Sequence, residues 1–134
     1  MAYLIDSDWV IDHLANVPEA NELLDELAED RIAISIITYM ETYQGLLRSP
    51  IVRKEVEPLF NTFAESLPVI PLSLAVARRC AGLQETLRAQ TRRVNSRALD
   101  LIIAATALEH DLTLVTRNHE DYKDIPGLKL YQPT

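Results

Sequence analysis

The sequence predicts an α/β domain, a parallel sheet covered on both faces by helices. Three observations carry that expectation. Short apolar runs at Tyr3-Leu4-Ile5, Ile32 to Ile36 and Leu112 to Thr116 are each bounded by polar or capping residues, as buried strands are. Stretches with helical spacing of apolar residues lie between them, and parallel strands need such crossovers. A length of 134 residues, 48% of them hydrophobic, supports one domain with a proper core and is too short for two.

The elements follow in order. Tyr3 to Ile5 reads as a strand running into Asp6-Ser7-Asp8, with Ser7 as the N-cap of a short helix from Asp8 to Ala15. Pro18-Glu19 opens a second helix, with Leu23, Leu24 and Leu27 on one face and acids on the other. Ile32 to Ile36 is a strand. Thr38 begins a helix to about Arg48, and Thr38-Tyr39-Met40-Glu41 has the form of a capping box. Pro50 opens a helix to about Glu65 that Pro58 kinks or divides. Pro68 and Pro71 make Leu67 to Leu72 a short or edge strand. Ser73 caps a long helix with Val76, Cys80, Leu83 and Leu87 on one face, fraying near Arg92. Ala98 to His110 is a further helix, and Leu112 to Thr116 a strand. Asn118 to Asp124 is a loop or single turn, Pro126-Gly127 a turn, and Leu128 to Tyr131 a last strand.

Composition removes several classes of function. The single cysteine, Cys80, excludes an internal disulfide and a cysteine metal site. No apolar run approaches the roughly 20 residues of a membrane span. The N-terminus lacks the basic-then-apolar pattern of a secretory signal, so a cytoplasmic protein without a membrane partner is expected. With three glycines there is no Gly-rich phosphate loop, and no Gly-x-Ser-x-Gly is present. His13, His110 and His119 have no ligand spacing. The net charge of −7 argues against binding nucleic acid by bulk electrostatics. Charge is nonetheless uneven. Residues 1–30 hold nine acids and no Lys or Arg, whereas residues 78–97 hold Arg78, Arg79, Arg88, Arg92, Arg93 and Arg97 against Glu85 alone. The arginines fit either a phosphate-binding edge or a partner surface.

The chemistry lies in the acids. Asp100 sits in a run, Ala98 to Leu108, that is apolar nearly all round and therefore buried. An unpaired carboxylate there costs several kcal/mol. It must meet a cation, accept hydrogen bonds, or lie where the helix start opens to solvent, the last being an ordinary first-turn acid. Glu41 has a structural reading as the capping-box acid and a functional one at a strand-to-helix junction, with Gly45 allowing close backbone approach. Asn118 follows the last buried strand and either forms an Asx turn or offers a carbonyl oxygen. Asp6, Glu41, Asp100 and Asn118 thus all lie at strand ends or helix starts, which share one edge in a parallel sheet. Carboxylates gathered there repel one another unless a cation holds them. An oxygen-only set suits Mg²⁺ or Mn²⁺, and such an ion serves phosphoryl transfer or phosphodiester cleavage.

These same segments resemble the PIN-domain family, and within it the VapC-type toxins of toxin–antitoxin pairs. The resemblance runs through Leu4 to Ile11, Ser35 to Glu41 with Gly45, Leu99 to Ala107, and Leu114 to Asn118 followed by Asp121-Tyr122 and Ile125 to Leu128. It implies a three-layer α/β/α sandwich with a mostly parallel central sheet. It implies a Mg²⁺- or Mn²⁺-dependent endoribonuclease that cleaves RNA with metal-activated water. Asp6 and Asp100 would be the firmest ligands, and Glu41 a ligand or water activator. The fourth family position, often Asp, is Asn118 here and would contribute more weakly. Ser7, Asp8 and Thr116 would support the ligands. Homodimers and a VapB-like antitoxin, whose basic residue enters the acidic pocket, complete the implied picture. Apart from the resemblance, the local excess of positive charge just before Asp100 makes Arg92, Arg93 and Arg97 the expected RNA or partner contacts. Two other readings compete. Asp6-Ser7-Asp8-Trp9-Val10 also fits the Asp-x-Asp-x-(Thr/Val) motif of haloacid-dehalogenase-type phosphatases, although only 18 residues follow Thr116. The alternative from another class is a non-catalytic binding module on the same fold.

Overall fold

The computed structural model describes residues 1–90 and 97–133. Among them β1 (Ala2–Ile5), β2 (Arg31–Ser35), β3 (Val69–Ile70) and β4 (Thr113–Val115) form one sheet in the order β3-β2-β1-β4. Every pairing is parallel, with Leu4 opposite Ala33 on one side and Leu114 on the other. The crossovers are helices: α1 (Ser7–Leu14), α2 (Pro18–Leu27), α3 (Ile36–Leu47), α4 (Pro50–Glu65), α5 (Leu74–Ala89), α6 (Ala98–Glu109) and the single turn α7 (His119–Tyr122).

The twofold period of β1 divides the core. Leu4 points into one cluster with Val76, Leu83, Leu87, Leu101 and Ile103, from α5 and α6. Tyr3 and Ile5 point into the other with Val10, Leu24 and Leu27, from α1 and α2. The result is the expected α/β/α sandwich. Leu4 and Ile5 are completely buried, and a side chain of that size contributes about 1.5–3 kcal/mol by leaving water.

Several expectations hold in detail and some do not. Val76, Cys80, Leu83 and Leu87 are the buried face of α5, with Ser73 as its N-cap. The β3 strand is two residues at the sheet edge, as its flanking prolines require. Pro58 does not divide α4; it lies on the exposed face, where water can take the carbonyl its ring leaves unpaired. The last strand shrinks to one parallel bridge, Leu114 with Leu130. A Cβ on Gly45 would meet nothing within 4 Å, so no close approach requires glycine there. The expected fraying near Arg92 lies outside the described residues.

Candidate active site

Because β1, β2 and β4 are parallel neighbours, their carboxyl ends form one edge, and the residues after them meet. Asp6 follows β1. Its amide donates to Val115 O at 2.9 Å, extending the ladder and bringing Thr116 alongside. The Thr116 hydroxyl donates to Asp6 Oδ2 at 2.7 Å and accepts the Asn118 amide at 3.0 Å. Asp6 Oδ1 accepts the Ser7 amide at 2.8 Å, which makes Asp6, not Ser7, the N-cap of α1. Both carboxylate oxygens are thereby fixed on a side chain 4% exposed. Burial raises its pKa, Thr116 and the Ser7 amide pull it back, and Asp8 and Asp100 push it up again.

Glu41 reaches the same edge from α3. The N-cap of α3 is Ser35, whose Oγ accepts the Thr38 amide at 3.0 Å. The helix starts two residues before the expected Thr38, so no capping box forms and Glu41 is not committed to a helix end. It is half-buried. Its pKa is raised by burial and then by Asp6, drawn down by the nearby Ser7 hydroxyl, and raised further by Asp100 and Asp8.

Asp100 stands in the first turn of α6, half-buried, where the buried helix opens at its N-terminus. Oδ1 accepts a hydrogen bond from the Tyr122 hydroxyl at 3.2 Å. Burial raises its pKa, Tyr122 and Arg97 lower it, and Asp121 and Asp8 raise it. The resemblance supplied no role for Tyr122. The available signal was a large aromatic with a polar tip in an otherwise polar turn, which needs both a core and a partner. Its own hydroxyl is pushed strongly upward by burial and by the charges of Asp6, Asp100 and Glu41.

Asp8 is drawn in across the crevice: Asn118 Nδ2 donates to Asp8 Oδ2 at 3.1 Å. Asp12, one turn on, pairs with Arg117, whose guanidinium lies 3.9 Å from the centre of the Trp9 ring. Among the described residues of the arginine-rich segment, Arg79 and Arg97 are paired with acids. Arg97 is 7% exposed and forks onto Asp124 at 2.9 and 2.8 Å, with a third bond to Asp121 O at 2.6 Å. It is a structural brace and not a surface contact for RNA or a partner, because its charge is matched inside the fold. Arg79 pairs with Glu109 at 3.1 Å. Arg92 and Arg93 lie outside the described residues.

The donor set is oxygen only, from three elements; Asp100 raises the pKa of Asp6, and Asp6 and Asp100 raise that of Glu41. A divalent cation would relieve that repulsion, so the residues fit Mg²⁺ or Mn²⁺. As placed, the described residues hold no group of three or more acid, His or Cys side chains close enough together to bind a metal ion. An open site with water in the remaining positions is how Mg²⁺ is usually held.

The PIN domain family profile matches residues 3–128. The chain belongs to the PIN-domain family. Ribonuclease VapC10 of Mycobacterium tuberculosis (strain ATCC 25618 / H37Rv) is 34% identical to this PIN domain over 116 residues, covering 86% of this chain and 81% of the relative. Ribonuclease VapC1 of Haemophilus influenzae (strain R2866) is 26% identical over 131 residues, 96% of each chain. Among solved structures, VapBC2 from Rickettsia felis bound to a promoter DNA fragment superposes with a TM-score of 0.85 at 26% identity over 100% of both chains. VapBC-1 from nontypeable Haemophilus influenzae gives 0.80 at 25% identity over 98% of each. The match over nearly the whole PIN domain sets the haloacid-dehalogenase reading aside.

Proposed function

We propose that this PIN domain is a metal-dependent endoribonuclease, the toxin of a VapBC-type toxin–antitoxin pair. One observation carries the reading: Asp6, Glu41 and Asp100, far apart in sequence, interact electrostatically at the carboxyl edge of the sheet. The relatives named ribonucleases support it, as do similar solved structures described as a toxin–antitoxin complex or a member of a toxin–antitoxin family. Asp6, Glu41 and Asp100 would hold Mg²⁺ or Mn²⁺, with Asn118 adding a weaker oxygen. When bound, such an ion acts as a Lewis acid toward a phosphate oxygen and acidifies water. The chain's own contribution is positional. Thr116 and the Ser7 amide hold Asp6 rigidly, and Tyr122 contacts Asp100. Glu41, less buried than Asp6 and raised above the ordinary carboxylate range, is suited to accept a proton from water. A basic residue of a VapB-like antitoxin would complement the acidic cluster. Exposed apolar residues on α3 and α4, among them Met40, Leu47 and Ile51, suit a protein partner or a second copy. Among the described residues no helix is long and apolar enough to cross a membrane, and the cytoplasm, where RNA and antitoxin are both available, is the compartment this reading implies.

The test is brief expression of wild type and Asp6→Asn followed by sequencing of RNA 5′ ends. New ends restricted to wild type are expected. The same ends in both strains, or none in either, would reject the enzyme reading in favour of a non-catalytic module.

A further inference from the structure

Tyr122 closes α7, and at 1% exposure it is among the most deeply buried side chains of the protein. A buried tyrosine hydroxyl needs a partner. This one donates to Asp100 Oδ1 at 3.2 Å, and among the described residues no other donor reaches that carboxylate. The usual O–H···O distance is about 2.7–2.8 Å, so the contact steers the carboxylate without saturating it. The ring belongs to the core cluster that includes Leu101 and Ile125. The backbone beside it is held by Arg97, which donates to Asp121 O at 2.6 Å and forks onto Asp124. Arg97 is also the residue at the N-cap position of α6, whose first turn carries Asp100. One buried arginine therefore braces both the donor and the acceptor of the Tyr122–Asp100 contact.

We infer that Tyr122 is a positioning residue for the metal centre: its hydroxyl fixes the rotation of the Asp100 carboxylate through Oδ1, and so sets how that carboxylate would meet a cation. The inference rests on the carboxylate cluster being the metal site proposed above. Phenylalanine at this position would fill the same core space and leave Asp100 free to turn. Groups that orient a ligand in this way change metal affinity about 10–100-fold when removed.

The experiment is Mn²⁺ titration calorimetry on the full chain at pH 7.5, with near-ultraviolet circular dichroism and urea unfolding in EDTA on the same samples. Tyr122→Phe is expected to weaken Mn²⁺ binding about tenfold while keeping the native spectrum. Asp100→Asn, which retains an acceptor for the hydroxyl, is expected to abolish binding. Arg97→Lys keeps the charge but loses the fork, and it should weaken Mn²⁺ in the same direction as a second, independent variant. Wild-type affinity, within twofold, in Tyr122→Phe overturns the inference and leaves the metal site standing. Weakened binding accompanied by loss of the native spectrum assigns Tyr122 a merely structural role and overturns it too. Absence of Mn²⁺ binding in wild type removes the metal centre and the inference together.

Discussion

Replacing Thr116 by valine isolates the force that keeps Asp6 ionisable. The site is 4% exposed, and valine keeps the branched shape while exchanging the hydroxyl for a methyl. That hydroxyl donates to Asp6 at 2.7 Å and accepts the Asn118 amide at 3.0 Å. A hydrogen bond to a charged group contributes about 1.5–3 kcal/mol and a neutral one about 0.5–1.5 kcal/mol, so the loss is about 2–4.5 kcal/mol with Asp6 ionised. With the carboxyl protonated the lost bond is a neutral one, and the loss is about 1–1.5 kcal/mol smaller. The sign of the pH dependence follows from the pKa direction. Asp6 is raised by burial, and Thr116 opposes the rise. A carboxyl raised above its unfolded value gives stability that is fully present below about pH 4 and is lost as pH climbs through the folded pKa. Valine raises the folded pKa further, so the variant loses more than wild type on the way to neutrality. Urea unfolding in EDTA at pH 4.5 and pH 8 should therefore show a larger destabilisation at pH 8, by about 1 kcal/mol. Equal destabilisation at the two pH values, or a larger one in acid, would refute the account of Asp6 as a carboxylate held by Thr116.

Other consequences are as direct. Asp100→Asn should lower RNA cleavage by at least about 100-fold with the unfolding curve retained, since the amide still accepts from Tyr122; residual activity within tenfold contradicts the assignment. Mn²⁺ affinity should fall in acid because protons compete for the ligands. With Asp6, Glu41 and Asp100 all raised, the fall should begin above the ordinary carboxylate range, and flat affinity from pH 5 to 8 would count against the carboxylate site. Arg97→Met leaves Asp124 without its fork in a pair whose side chains are 8% and 16% exposed, so urea unfolding should show a loss of about 3–5 kcal/mol; a change under about 1 kcal/mol would make the brace incidental. Neutralising Arg92 and Arg93 should weaken RNA binding and flatten its salt dependence; unchanged RNA binding with altered antitoxin or dimer affinity assigns that segment to an interface instead.

What the sequence made legible was local. Short apolar runs bounded by polar or capping residues marked the strands, and the four-three-four spacing from Val76 to Leu87 marked the buried face of α5 before any contact was known. The acids at strand ends could be placed on one edge because parallel strands leave no other choice. What it concealed depends on distant partners. Ser35 and Thr38 are both good N-caps three residues apart. Which one caps α3 is fixed by how far β2 pairs with β3, through Ser35 opposite Ile70. Arg97 looked like part of a cationic run because its partner, Asp124, lies 27 residues further on, beyond any helical spacing. Tyr122 was hidden for the same reason. Its contact with Asp100 exists only because α7 folds back over the start of α6.

The acids are an energetic burden on the ion-free fold, since burial and mutual repulsion both disfavour their charged forms. Sequence alone could treat Asp6-Ser7-Asp8 as the start of two different chemistries. The surroundings separate them. A carboxylate acting alone as a nucleophile gains nothing from two further acids that raise its pKa, whereas a cation site needs them. The neighbouring contacts share a common effect: Thr116 and the Ser7 amide draw Asp6 back toward ionisation, Ser7 does so for Glu41, and Tyr122 and Arg97 do so for Asp100. Each acid thus has at least one neighbour favouring its charged form. Structure that opposes the desolvation of three carboxylates at one edge is best explained by a function that uses their charge.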